Sequence, residues 1–174
     1  MSGGSGSNSR SSSSSSNERV FVGLGANLGR ARGTLLAAAG DLTALPQTRV
    51  VQLSSIYRTA PVDAGGPDFF NAVAELHCEL EPAALLAHLH AIEVQHGRER
   101  PYLNAPRTLD LDLLLFGARV LHSATLTLPH PRLHLRAFVL RPLLELAPGL
   151  QHPLLGDLAP CARRAADQRI ERLA

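Results

Sequence analysis

The sequence predicts one α+β domain, an antiparallel sheet core with flanking helices on both sides. Three observations carry that expectation. From Arg19 to Phe116 the apolar periodicity reads strand, helix, strand, strand, helix, strand, the split βαββαβ order of a ferredoxin-like domain. The second and third strands are joined by a loop rich in Pro and Gly, so they read as a long-loop antiparallel hairpin. The chain has 174 residues and is 45% hydrophobic, enough to fill one core.

Each element has its own signal. RVFVGLGANLG (Arg19 to Gly29) starts as an apolar strand and is expected to break at Gly23, Gly25 and Gly29. From Arg30 to Leu45, Leu35, Ala38, Ala39, Leu42 and Leu45 recur on one helical face. RVVQLSSIY (Arg49 to Tyr57) reads as the second strand, and Phe69 to Leu80 as the third. Glu81-Pro82 opens a helix with proline in its first turn, Leu85, Leu86, Leu89, Ile92 and His96 form its stripe, and Gly97 ends it. A polar stretch from Gly97 to Thr108 precedes the fourth strand, and Phe116 to Val120 turns into a fifth, short one. A helix from Arg136 to Leu146 is crossed by Pro142, and a last helix is expected from about Asp157 to Leu173.

Residues 1–18, nearly all Gly, Ser and Asn, are too polar to bury anything and read as a disordered tail, leaving 19–174 as a single domain. No apolar run resembles a signal peptide or reaches the roughly eighteen residues of a membrane helix, so a cytoplasmic protein with no membrane partner is expected. Cys78 and Cys161 lack metal-type spacing and read as free thiols. All 17 basic residues are arginine. Without lysine there is no Schiff base and no Gly-Lys-Ser/Thr phosphate loop, so any phosphate must be held by arginine, backbone amides, histidine or metal.

The fourth strand, RTLDLDLLLF (Arg107 to Phe116), contains the chemistry. Its leucines mark burial on both faces, yet Asp110 and Asp112 lie two apart, on one face, with Cα atoms about 6.5–7 Å apart. Two carboxylates so placed are doubly ionised at little cost only beside a cation. Hard oxygen donors without cysteine suit Mg²⁺, which keeps positions for water and substrate phosphates. The bland reading is a pair of solvated acids, or acids paired with Arg107. Arg98, Arg100 and Arg107 immediately precede the strand; guanidinium groups match phosphate oxygens in bidentate fashion, so acids and arginines together point to phosphoryl transfer.

The segment APRTLDLDLL (Ala105 to Leu114) resembles the signature of the 6-hydroxymethyl-7,8-dihydropterin pyrophosphokinase family. GANLG, SSIYRTAPV, PDFFNAV, IEVQHGRER and LPHPRLHLRAFVLRPLLELAP have counterparts in the same order, covering nearly everything from Val20 to Pro148. The resemblance implies transfer of pyrophosphate from ATP to the hydroxymethyl group of a reduced pterin, with release of AMP, in folate biosynthesis. It implies two Mg²⁺ on Asp110 and Asp112, with Arg98 and Arg107 steadying the transferring group. The nucleotide would meet Glu93, Arg98, Arg100, Thr127, His130 and Arg136. The pterin would lie between Phe69 and Phe138, its polar edge against Asn71 and the backbone of Thr59, Ala60 and Val62. The chain departs from the family pattern at Leu103, Asn104 and Ala105, and has Phe69 where tyrosine is common.

These implications make the partners small molecules and the enzyme a monomer. Two rivals compete. An RNA-binding module would use the arginines on phosphates, but the aromatic content is only 4% and the net charge +2, and no nucleic-acid partner is expected. A zinc hydrolase would need His88, His90, His130 and His134, of which the first two lie on different faces of a helix.

Overall fold

A computed structural model describes residues 17–27, 29–61, 66–97 and 109–173. Strand β1 (Glu18–Ala26) leads into helix α1 (Ala31–Thr43), then β2 (Thr48–Leu53), β3 (Tyr57–Thr59) and the long β4 (Phe69–Cys78). Helix α2 (Pro82–Gln95) precedes β5 (Asp110–Phe116). A small hairpin, β6 (Leu121–His122) and β7 (Thr127–Leu128), and a 3-10 turn at Leu133–Leu135 lead to α3 (Ala137–Leu146). The chain continues through a second hairpin, β8 (Gln151–His152) and β9 (Gly156–Asp157), then α4 (Ala159–Arg164) and β10 (Ile170–Arg172).

The main sheet runs β10, β3, β4, β1, β5, with β2 also on β4, and every pairing is antiparallel. The strands of the expected βαββαβ unit therefore stand second, third, first, fourth across the sheet. That is the ferredoxin-like arrangement. Side chains alternate between two apolar layers. Val20, Val22, Leu24 and Ala26 join Leu35, Ala38 and Leu42 of α1 and Leu85, Leu89 and Ile92 of α2. On the other face Phe21, Val73, Leu114 and Leu115 meet Leu140 and Leu143 of α3 and Cys161 of α4. Leu114 is the additional residue of a bulge, because Phe21 pairs with Leu115 whereas Val22 pairs with Leu113.

Three local expectations are corrected. β1 does not break at Gly23 or Gly25 but runs through both to Ala26, because β4 and β5 supply ladder partners on either side; only Gly29 takes the left-handed backbone, at φ +58. The single strand expected from Arg49 to Tyr57 is two. Ser54 interrupts it by bonding Val73 with both its backbone N–H (to the carbonyl) and its Oγ (accepting the N–H), each at 2.9 Å. The final helix is six residues long, not seventeen or so. Gln168 leaves the helical path to bond the start of α3: its Oε1 accepts from the Ala137 N–H and its Nε2 donates to the Leu135 carbonyl. Ile170 to Arg172 then fill the open edge of β3.

Gly97 closes α2 as expected, at φ +75. His96, the last residue before it, lies 2.7 Å from Asp41 of α1 through Nε2 and Oδ2.

Candidate active site

A floor without side chains is the first requirement of the site, and β1 supplies it. Central strands of a covered sheet are normally buried, yet Gly23 and Gly25 are partly exposed, on the face opposite α1 and α2. Their ladder partners on β5 are Asp112 and Asp110, and on β4 they are Val73 and Asn71. Cross-strand partners share a face. Asn71, Gly25 and Asp110 thus form one row, with an amide at one end, a carboxylate at the other and no side chain between them.

The β4 side of the cleft is held by a buried hydrogen bond. Asn71, 5% exposed, donates from Nδ2 to Oγ1 of Thr59 at 3.0 Å. Phe69 lies two residues before Asn71, on the same face and partly exposed. Phe138, in the first turn of α3, is also partly exposed and packs against the second apolar layer. The guanidinium of Arg136, at the start of that helix, lies 5.4 Å from the Phe138 ring centroid. Ala60, the residue after β3, is exposed.

The β5 side opens into a cavity of about 380 Å³. Asp110 and Asp112 line it with Glu93 and His90 of α2, residues 123–127 around β7, and His130. β5 is the last strand of the sheet, so its outer polar groups need partners. Glu93, 1% exposed, accepts the Leu111 N–H at 2.7 Å, between the two aspartates, and the Leu114 carbonyl accepts the His130 N–H at 2.9 Å.

His130 is held neutral. Burial pushes its imidazole down to about 4, helped by the positive charges of Arg136 and Arg132 and opposed by Asp110. Its Nδ1 accepts the Arg132 N–H at 3.2 Å, which leaves the ring proton on Nε2 as a donor. A neutral donor beside carboxylates suits a phosphate oxygen.

Asp110 and Asp112 are both partly exposed at the cavity rim. Among the described residues, no three His, Cys, Asp or Glu side chains form a group that could hold a metal ion by themselves. Two hard carboxylates beside open space fit an ion that draws the rest of its shell from water and ligand, as Mg²⁺ does.

The sequence-selected residues thus gather in one region: Thr59, Phe69, Asn71 and Phe138 above the sheet, and Glu93, Asp110, Asp112, Thr127 and His130 around the cavity. Val62, Arg98, Arg100 and Arg107 lie outside the described residues. The periodicity reading missed the role of Gly23 and Gly25. Their alternate spacing in VFVGLGA is the signal: two absent side chains on one face of a strand.

Known proteins resemble this chain in sequence and in fold. A family model described as 7,8-dihydro-6-hydroxymethylpterin-pyrophosphokinase (HPPK) matches residues 21–148. A relative from Pseudomonas aeruginosa, named 2-amino-4-hydroxy-6-hydroxymethyldihydropteridine pyrophosphokinase, is 43% identical over 157 residues, covering 90% of this chain and 97% of the relative. One of the same name from Synechocystis is 42% identical over 135 residues, covering 78% and 69%. Among solved structures, an HPPK-DHPS in complex with substrates aligns with TM-score 0.69 at 13% identity, covering 85% of this chain and 43% of that one. That likeness shows the fold alone.

Proposed function

The chain belongs to the 7,8-dihydro-6-hydroxymethylpterin-pyrophosphokinase family, and from that premise we propose how its own residues carry the transfer of pyrophosphate from ATP to the hydroxymethyl group of the reduced pterin, with release of AMP. The observation that carries the reading is the placement of Asp110 and Asp112 opposite Gly25 and Gly23. Two acids face open floor, with an amide wall on one side and a cavity on the other.

The flat pterin lies between Phe69 and Phe138, where a heteroaromatic ring gains dispersion and quadrupole attraction from ring faces. Asn71 pairs with its polar edge, and the backbone of Thr59, Ala60 and Val62 completes that edge. The nucleotide occupies the cavity beside Glu93, Thr127, His130 and Arg136, with His130 Nε2–H donated to a phosphate oxygen. Arg98, Arg100 and Arg107 reach the phosphates from the segment before β5. Two Mg²⁺ held by Asp110 and Asp112 would supply charge neutralisation and lower the hydroxyl's pKa.

The pterin hydroxymethyl oxygen attacks the β-phosphorus in line, and AMP leaves. No covalent enzyme intermediate is needed, because positioning and charge compensation are the main work in phosphoryl transfer. The single domain begins at Glu18, the first residue of β1, one residue before the boundary read from composition, and the enzyme works as a cytoplasmic monomer on small molecules, without nucleic acid.

The test is AMP formation from ATP with and without the reduced pterin alcohol and Mg²⁺. AMP is expected only when all are present. AMP release that ignores the pterin would overturn the reading.

A further inference from the structure

The row Asn71–Gly25–Asp110 crosses three strands, a span of about 10 Å at the spacing of an antiparallel ladder. Its middle position is the most constrained. A Cβ built on Gly25 would lie 3.1 Å from Oδ1 of Asn71, closer than ordinary van der Waals contact. The same construction on Gly23 meets only the Leu114 side chain, at 3.5 Å, an ordinary contact. Neither glycine has a positive φ, so Gly25 is not required by backbone conformation. What its missing side chain provides is room for an oxygen.

The direction of that oxygen matters. Nδ2 of Asn71 is engaged by Thr59, so the carbonyl end of the amide is the end that overhangs β1. An acceptor placed there, over an empty floor, recognises an N–H edge of a flat ring lying on the row. A ring so anchored extends along the row toward Asp110, where the reacting arm has to arrive.

We infer that Gly25 is a specificity-determining position, whose lack of a side chain holds the Asn71 carbonyl oxygen over the cleft floor to accept from an N–H edge of the heterocyclic substrate. This rests on the proposed function and adds to it the residue that sets the polarity of the pterin wall. Gly25 acts through Asn71 and is a positioning residue.

The test is a double-mutant cycle on the full chain, with Gly25→Ala, Asn71→Ala and the double variant. Affinity for the reduced pterin alcohol is read by its fluorescence, with Mg²⁺ and a non-hydrolysable ATP analogue present, and analogue affinity is read separately. Gly25→Ala is expected to weaken pterin binding about tenfold, as losing one hydrogen bond in a polar pocket does, with analogue affinity held within about twofold. In the Asn71→Ala background, adding Gly25→Ala should cost less than about twofold more, because the contact it disturbs is already gone. Unchanged pterin affinity in Gly25→Ala, an undiminished effect without Asn71, or equal loss of both ligands would overturn the inference. If Gly25→Ala does not fold, recovery of folding in the double variant supports the 3.1 Å contact and failure to recover overturns it. The assay needs no turnover. A wild-type chain that binds the pterin but forms no AMP would refute the assigned reaction and leave this inference standing.

Discussion

Glu93 accepts a hydrogen bond from the Leu111 N–H at 2.7 Å, which puts a buried carboxylate directly behind the strand that carries Asp110 and Asp112. The edge strand of the sheet thus takes one of its bonds from a helix. Because Leu111 stands between the two acids, that bond fixes the backbone from which both project.

Glu93→Ala should therefore harm catalysis without touching the residues proposed to hold the pterin. It strands a buried backbone N–H, a cost of about 1–3 kcal/mol, and lets β5 shift beneath its acids. A fall in kcat of about tenfold or more is expected, with pterin affinity unchanged. Glu93→Gln keeps an acceptor oxygen and should recover most of the thermal stability. Steady-state kinetics and thermal unfolding of both variants check the pair. Equal kcat in Glu93→Ala and wild type would refute the role.

Asp110→Ala and Asp112→Ala should each lower AMP formation by about a thousandfold or more, because both carboxylates are proposed to hold the metal charge that the transferring group needs. Both side chains are partly exposed, so the melting temperature should barely change. Titrating Mg²⁺ against turnover separates lost metal affinity from lost chemistry. Wild-type rates at saturating Mg²⁺ would remove the acids from the mechanism.

A second network makes stability depend on pH. Glu145 of α3 accepts from Ser55 Oγ at 2.7 Å, from Tyr57 Oη at 2.8 Å and from Arg172 Nη2 at 3.2 Å, tying helix, β3 and β10 together. Burial alone would raise the Glu145 carboxyl, but the bonds from Ser55 and Tyr57 and the charge of Arg172 outweigh it and hold the group below its ordinary value of 4.5. Burial, followed by the bond to Glu145 and its charge, pushes Tyr57 up to about 12 from an ordinary 10.0. A depressed acid stabilises the fold above its unfolded value, and that contribution is lost as pH falls through the folded one. A raised phenol stabilises it below 10.0, and that contribution is lost as pH rises toward 12. Glu145→Gln should flatten the acid limb of a urea-unfolding series, and Tyr57→Phe the alkaline limb. Unaltered limbs would mean that the network adds nothing to folding.

The acidic pair is legible in the sequence because aspartate is costly inside an apolar strand, so Asp110 and Asp112 interrupt the pattern that should bury them. The order of strands is legible for a related reason: period-2 and period-3.6 patterns are both strong up to Phe116. After it, the helix expected from Arg136 to Leu146 is realised as α3, and beyond Leu146 the signal fails. The segment from Asp157 to Leu173 has helix-forming alanines and arginines, but Gln168 and Ile170 are claimed by α3 and β3, partners that no local window contains. Glu145 is invisible for the same reason, since its three partners come from β3, its approach and β10. Gly23 and Gly25 mislead in the opposite direction. Local propensity reads glycine as an interruption, whereas here paired neighbours on both sides keep the strand intact and use the missing side chains as space.

The groups that cover the rim of β5, Glu93 and the His130 backbone, belong to the same cavity as the aspartates. Uncovered, that rim would be a row of free amides and carbonyls, able to zip onto another molecule's strand. Chemistry and colloidal behaviour are therefore coupled at one seam. Variants altered around the cavity will sort by turbidity as well as by rate, and a soluble but inactive protein is the informative find, because its defect is confined to the chemistry.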